Sequence, residues 1–133
     1  MRFEDWPERL GRIVEDAHRP FVWGEHDCCL FAANVVLELT GRDYAAELRG
    51  TYSSAKSAAR VLKWLNGVRG IAGNALGAEI PPLTAHRGDI VLIHTAEHGD
   101  TLAVCVGAHC VAPGVDCLVH VPMSLAVAAW RVA

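Results

Sequence analysis

The sequence predicts an α+β domain, with N-terminal helices packed on an antiparallel sheet of about five strands. Three observations carry this. In the first half, apolar residues recur at three- and four-residue spacing, the helical period. After Pro81-Pro82 the pattern changes to short apolar runs, and Gly88, Gly99-Asp100, Gly107 and Pro113-Gly114 separate them at intervals too short for parallel crossovers. The chain of 133 residues is 52% hydrophobic and 20% charged, which suits one compact domain over 1–133 and excludes a disordered chain.

Taken in order, the first helix is expected from Asp5 to Ala17. Trp6, Leu10, Ile13, Val14 and Ala17 share a face, Asp5 is placed to cap it, and Pro7 falls in its first turn. Pro20 stops it, and Pro20 to His26 reads as a loop whose Gly24 permits a turn. The second helix opens on Asp27 as N-cap and runs to Leu39, with Gly41 to end it. Ser53 or Ser54 can cap a third helix through Ala58, Val61, Leu62 and Leu65. Gly67, Gly70, Gly73 and Gly77 leave at most a short helix around Ile71 to Leu76, and this middle third carries no recognisable chemistry. The strands follow as Asp89–His94, Leu102–Val106, His109–Ala112, Leu118–Val121 and Val127–Val132, arranged as a meander.

Several function classes fall away on composition. The formal net charge is −3 with no block of like charges, so nucleic acid is not an expected partner. Met1 to Trp6 carries Glu4 and Asp5 where a signal peptide has basic residues, so a protein made in the cytoplasm without a leader is expected. The apolar stretches Leu30–Leu37 and Ser124–Trp130 fall well short of the roughly 18 to 20 residues that span a bilayer, so no membrane insertion is expected. Cys28, Cys29, Cys105, Cys110 and Cys117 are odd in number and two are adjacent, which reads as free thiols, most of them small core residues.

Cys28 stands out by position. A cysteine in the first turn of a helix meets about half a positive charge and several free amide donors, which stabilise a thiolate. The competing reading is an inert apolar residue on a buried helix face, shared with Phe31, Ala32, Val35, Val36 and Leu39. Cys29 lies about 100° around the helix, so the two thiols are not equivalent.

The string Pro20-Phe21-Val22-Trp23-Gly24-Glu25-His26-Asp27-Cys28-Cys29-Leu30-Phe31-Ala32 resembles the NlpC family of papain-like cell-wall cysteine peptidases, in which an aromatic-Val-Trp-Gly loop leads to Asp-Cys at the start of the central helix. Arg87-Gly88-Asp89-Ile90-Val91-Leu92-Ile93 is similar to that family's first core strand, and Leu102-Ala103-Val104-Cys105-Val106-Gly107 to its next. The ending from Val121-Pro122-Met123-Ser124 to Ala129-Trp130-Arg131-Val132 looks like a compact subgroup encoded among tail genes of phages and gene transfer agents. The resemblance implies a minimal papain-like fold and a tail-tip location in the virion. It also implies peptidoglycan stem peptides as substrate, other tail-tip or hub proteins as partners, and no cofactor. Cys28 takes the nucleophile's place, and Trp23, Gly24 and Asp27 fall beside the substrate groove, with an aromatic plug, a tight turn and a helix cap as their alternatives.

The chain departs from the family where the base should be. The histidine position falls on Thr101 and the third polar position near Val111, and neither side chain can take a proton from a thiol. His98, just before the strand, becomes the candidate base if the Gly99-Asp100 turn folds it back. His109, two residues before Val111, shares its strand face, while His94 ends a strand and His26 is expected to face away from Cys28. The alternative function is therefore a catalytically inactive piece of the tail tip that keeps the fold. His94-x3-His98, Cys105-x3-His109 and Cys117-x2-His120 suggest zinc ligand pairs, but this spacing suits helices and knuckles rather than strands, and no metal is expected.

Overall fold

The computed structural model describes residues 1–133. Four helices, α1 (Trp6–Asp16), α2 (Cys28–Thr40), α3 (Ala55–Trp64) and α4 (Gly67–Leu76), precede five strands. The strands are β1 (Ile90–Thr95), β2 (Gly99–Cys105), β3 (His109–Pro113), β4 (Leu118–Pro122) and β5 (Ala128–Trp130), all paired antiparallel. The expected α+β arrangement of N-terminal helices and a five-stranded antiparallel sheet is present.

Helix α2 is the central element because it is apolar nearly all round. Phe31, Ala32, Val35, Val36 and Leu39 are buried, and they join Ile90, Leu92, Leu102, Val104, Val111 and Trp130 in the main core between helices and sheet. Strand alternation sends Val91, Ile93, Ala103, Cys105, Cys110 and Ala112 to a second, smaller core on the other face. There Met123, Ala126 and Ile80 cover them, so the sheet is buried on both sides.

The order β4-β3-β2-β1-β5 departs from a pure meander. The first four strands follow it, but after β4 a 3-10 turn at Met123–Leu125 carries the chain across the second core, and β5 pairs with the free edge of β1. The hydrophobic period of that last segment marks a strand without saying which edge it joins.

Two helix ends also differ from expectation. Asp5 makes no capping bond to α1; its carboxylate instead accepts from Arg9 Nε at 2.8 Å, one turn on. Helix α4 spans ten residues despite its glycines. Asn66 and Gly67 are both left-handed, at φ 61° and 74°, and reverse the chain so sharply that a Cβ on Gly70 would lie 2.2 Å from the Leu65 carbonyl oxygen. The glycine that weakens the helix by propensity is what lets it start there.

One carboxylate closes the fold. Asp89, fully buried, accepts from Arg2 Nη2 at 2.8 Å, from the Val132 amide at 2.9 Å and from the His86 amide at 2.8 Å. Arg2 also donates to the carbonyl oxygens of Val132 and Arg87. No helix is long and apolar enough to cross a membrane.

Candidate active site

Asp27 builds the site. Its backbone is extended, and one carboxylate oxygen accepts from the Leu30 amide at 2.9 Å, the N-cap bond expected from sequence. The other accepts from the Gly24 amide at 2.9 Å and from the Tyr52 hydroxyl at 2.6 Å. Three donors on a side chain only 2% exposed fix the entry to α2, and with it Cys28. Gly24 is required in this arrangement: its φ is +81°, and a Cβ there would sit 2.2 Å from the Tyr52 carbonyl oxygen. Tyr52 was not legible as a site residue, since no motif surrounds it. Burial and the adjacent Asp27 carboxylate push its phenol well above the usual range, so it stays a hydrogen-bond donor.

Cys28 occupies the first position of α2 and is half-buried in the wall of an apolar cleft. The cleft brings it together with Trp23, Asp27, Tyr52, His98 and Asp100. The thiol of Cys29 donates toward Cys28 and lowers its pKa; the Leu102 amide adds to this, while burial opposes it. Cys29 carries the reverse effect: as donor to Cys28, and buried, it is pushed well above the ordinary thiol range. Of the two thiols, Cys28 is the one at the first position of α2, where the free amides of the helix end lie. Of the first-turn amides, Leu30 is used by Asp27, which leaves those of Cys28 and Cys29 facing the thiol's end of the helix.

His98 reaches the cleft but is not hydrogen bonded to Cys28. Its ring stacks on Phe21, with centroids 5.5 Å apart and planes 9° off parallel, and meets Trp23 edge-on at 6.0 Å. The β1–β2 turn carries it there, its amide held by the Thr95 hydroxyl at 3.1 Å. Trp23 and Phe21 meet at 4.8 Å, so the three rings form one wall.

The other histidines lie elsewhere. His26 is buried, with Nε2 bonded to the Ala17 carbonyl oxygen at 2.9 Å, turned away from Cys28 as expected. His94 is exposed and pairs with Asp100 at 3.3 Å across the hairpin. His109 starts β3 beside Val106, at the end of β2 remote from Thr101, so it cannot serve the cleft. Thr101 is buried with its hydroxyl on the Gly99 carbonyl oxygen at 3.2 Å, and the β3 residue at the cleft is Pro113, which carries no donor. No group of three metal-ligating side chains is present.

A family model described as "Domain of unknown function (DUF6950)" matches residues 1–132. The chain belongs to this family. No curated protein matches it. The cleft holds a cysteine at a helix N-terminus and an imidazole that packs with two aromatic rings.

Proposed function

We propose that this chain is a cysteine-peptidase-like protein of a phage-type tail tip, with a papain-like fold of the NlpC kind. In this reading Cys28 is the nucleophile, His98 its base, and a peptidoglycan stem peptide the substrate. The observation that carries the reading is the placing of Cys28 on the first turn of α2, in a cleft that Trp23 and His98 also line. The thiolate attacks a peptide carbonyl, and the Cys28 and Cys29 amides receive the oxyanion. The C–N bond then breaks as the imidazolium of His98 protonates the leaving amine, and water attacks the thioester in a second step. For this His98 must leave its stack on Phe21, a rotation open to an exposed side chain at a hairpin turn. Trp23 and the Gly24 turn border the groove, and Asp27 acts by fixing both. Other tail-tip or hub proteins are the partners in this reading.

A specific observation favours the second reading, an inactive tail-tip component that keeps the fold. Thr101, Val111 and Pro113 stand where imidazole and polar partner would be needed, and His98 is engaged with Phe21. The two readings separate on the pH-dependence of iodoacetamide labelling at Cys28, located by mass spectrometry, in the parent and in His98→Ala. Fast labelling near about pH 6 that is lost in the variant supports the dyad. Labelling only above about pH 8, unchanged in the variant, supports the inactive component.

A further inference from the structure

The cleft at Cys28 does not end at the thiol. A second, narrower hollow adjoins it, and the two share Cys29, Leu48 and Ile71 as common walls. All thirteen residues around the second hollow are hydrophobic, and none carries a formal charge. Its base is core, formed by Ala32, Val36, Ala72, Ile90 and Leu102, and its mouth is half-buried Cys29, Leu48, Ile71 and Leu76 with exposed Tyr44. The ionisable groups of the first hollow, His98, Asp100 and the engaged Asp27, stand with the thiol at the near end. The site is thus polarised, with polar groups where a carbonyl would react and hydrocarbon beyond.

We infer that this trough is the acyl-side subsite of Cys28, built for an uncharged aliphatic acyl group whose carbonyl lies at the thiol and whose chain runs past Cys29 between Leu48 and Ile71. The inference rests on the reading of Cys28 as nucleophile and names what that nucleophile accepts. The acyl group stays on sulfur after the leaving group departs, so it is the part that needs a fixed wall. The trough starts at the residue next to that sulfur, whereas the leaving group exits at the rim of His98 and Asp100. Each charge placed in such a recess loses water without gaining a partner, which selects against acidic and basic acyl groups. On a stem peptide the same rule puts an alanyl group at the thiol and rejects glutamyl and diaminoacyl groups.

The test uses p-nitrophenyl esters with the full chain. In each acylation the Cys28 thiolate attacks the ester carbonyl, the C–O bond breaks, and p-nitrophenolate leaves as the anion, so the step needs no further reactant. Rates are read at Cys28 relative to the exposed Cys117 in the same molecule, by mass spectrometry of the acylated peptides. The octanoyl ester is expected to acylate Cys28 at least about tenfold faster, on this relative scale, than the acetyl ester or the glutaryl half-ester, the order of preference expected from burying several methylenes. Leu48→Arg is expected to remove the preference for the octanoyl over the acetyl ester; circular dichroism melting confirms that it folds, and Leu48→Gln replaces it if it does not. Equal relative rates along the series overturn the inference, and do so with the nucleophile reading intact if iodoacetamide still labels Cys28 rapidly. Failure of both esters and iodoacetamide at Cys28 overturns the two together.

Discussion

Removing the Asp27 carboxylate should loosen the candidate site more than any other single truncation near it. In Asp27→Ala the helix loses its N-cap bond from Leu30, worth about 1 kcal/mol. The Tyr52 hydroxyl and the Gly24 amide, now at 2.6 and 2.9 Å from the carboxylate, are left without their acceptor. Both residues are half-buried, so each adds about 1 kcal/mol, the low end of the cost of an unmet donor. The sum is about 3 kcal/mol. With an unfolding entropy of about 2.1 cal/mol/K per residue, a chain of 133 residues loses about 11 °C in Tm. Tyr52→Phe alone removes one bond and should cost about 1 kcal/mol. In the double variant the phenyl ring no longer leaves a stranded hydroxyl, so its loss should fall short of the sum of the single losses by about 1 kcal/mol. Differential scanning calorimetry of the four proteins measures all of this. An Asp27→Ala melt within about 3 °C of the parent refutes the view that this carboxylate holds the site together.

Three further outcomes are expected. Burial lowers the pKa of His26, aided by the charge of Arg19, so the folded chain holds it neutral. The unfolded chain takes up a proton below about pH 6.5 that the native state refuses, so stability falls as pH drops through that region, and His26→Gln should flatten that part of a stability-against-pH curve. Because the Cys29 thiol lowers the pKa of Cys28, Cys29→Ala should shift the iodoacetamide rate profile of Cys28 to higher pH; an unmoved profile counts against the thiol pair. Asp89→Asn removes the charge opposite Arg2 and sets a carboxamide NH2 against the Val132 or the His86 amide, so it should lower stability by about 3 kcal/mol, read as a lower urea midpoint at unchanged slope.

Much of the architecture could be read from local pattern, because helix period, strand period and cap chemistry are local properties. Asp27 as cap and Gly41 as the stop, left-handed at φ 80°, follow from neighbours within four positions, and of the two serines able to cap α3 the structure uses Ser54. The errors are long-range. That β5 joins β1 depends on what lies free at the other edge of the sheet, and that α4 can start at Gly67 depends on how closely Leu65 approaches Gly70. The site divides the same way. Cys28 is marked by its place on one helix, whereas Tyr52 enters through a hydroxyl donated across 25 positions of chain to Asp27. His98 could be singled out near the hairpin, but its stack on Phe21 joins segments that no sequence window spans.

The Asp89 knot has a practical side. Arg2 and Val132 meet on one carboxylate, so positions 2 and 132 are neighbours, and a short linker joining residues 1 and 133 should give a circular permutant with new ends at an exposed turn such as Val115-Asp116. Asp89 lies just before β1 and the cleft rim just beyond its far end, a strand length of about 20 Å away. A fluorescent tag or a surface tether attached at either terminus would therefore report on the domain without standing in the doorway of the thiol.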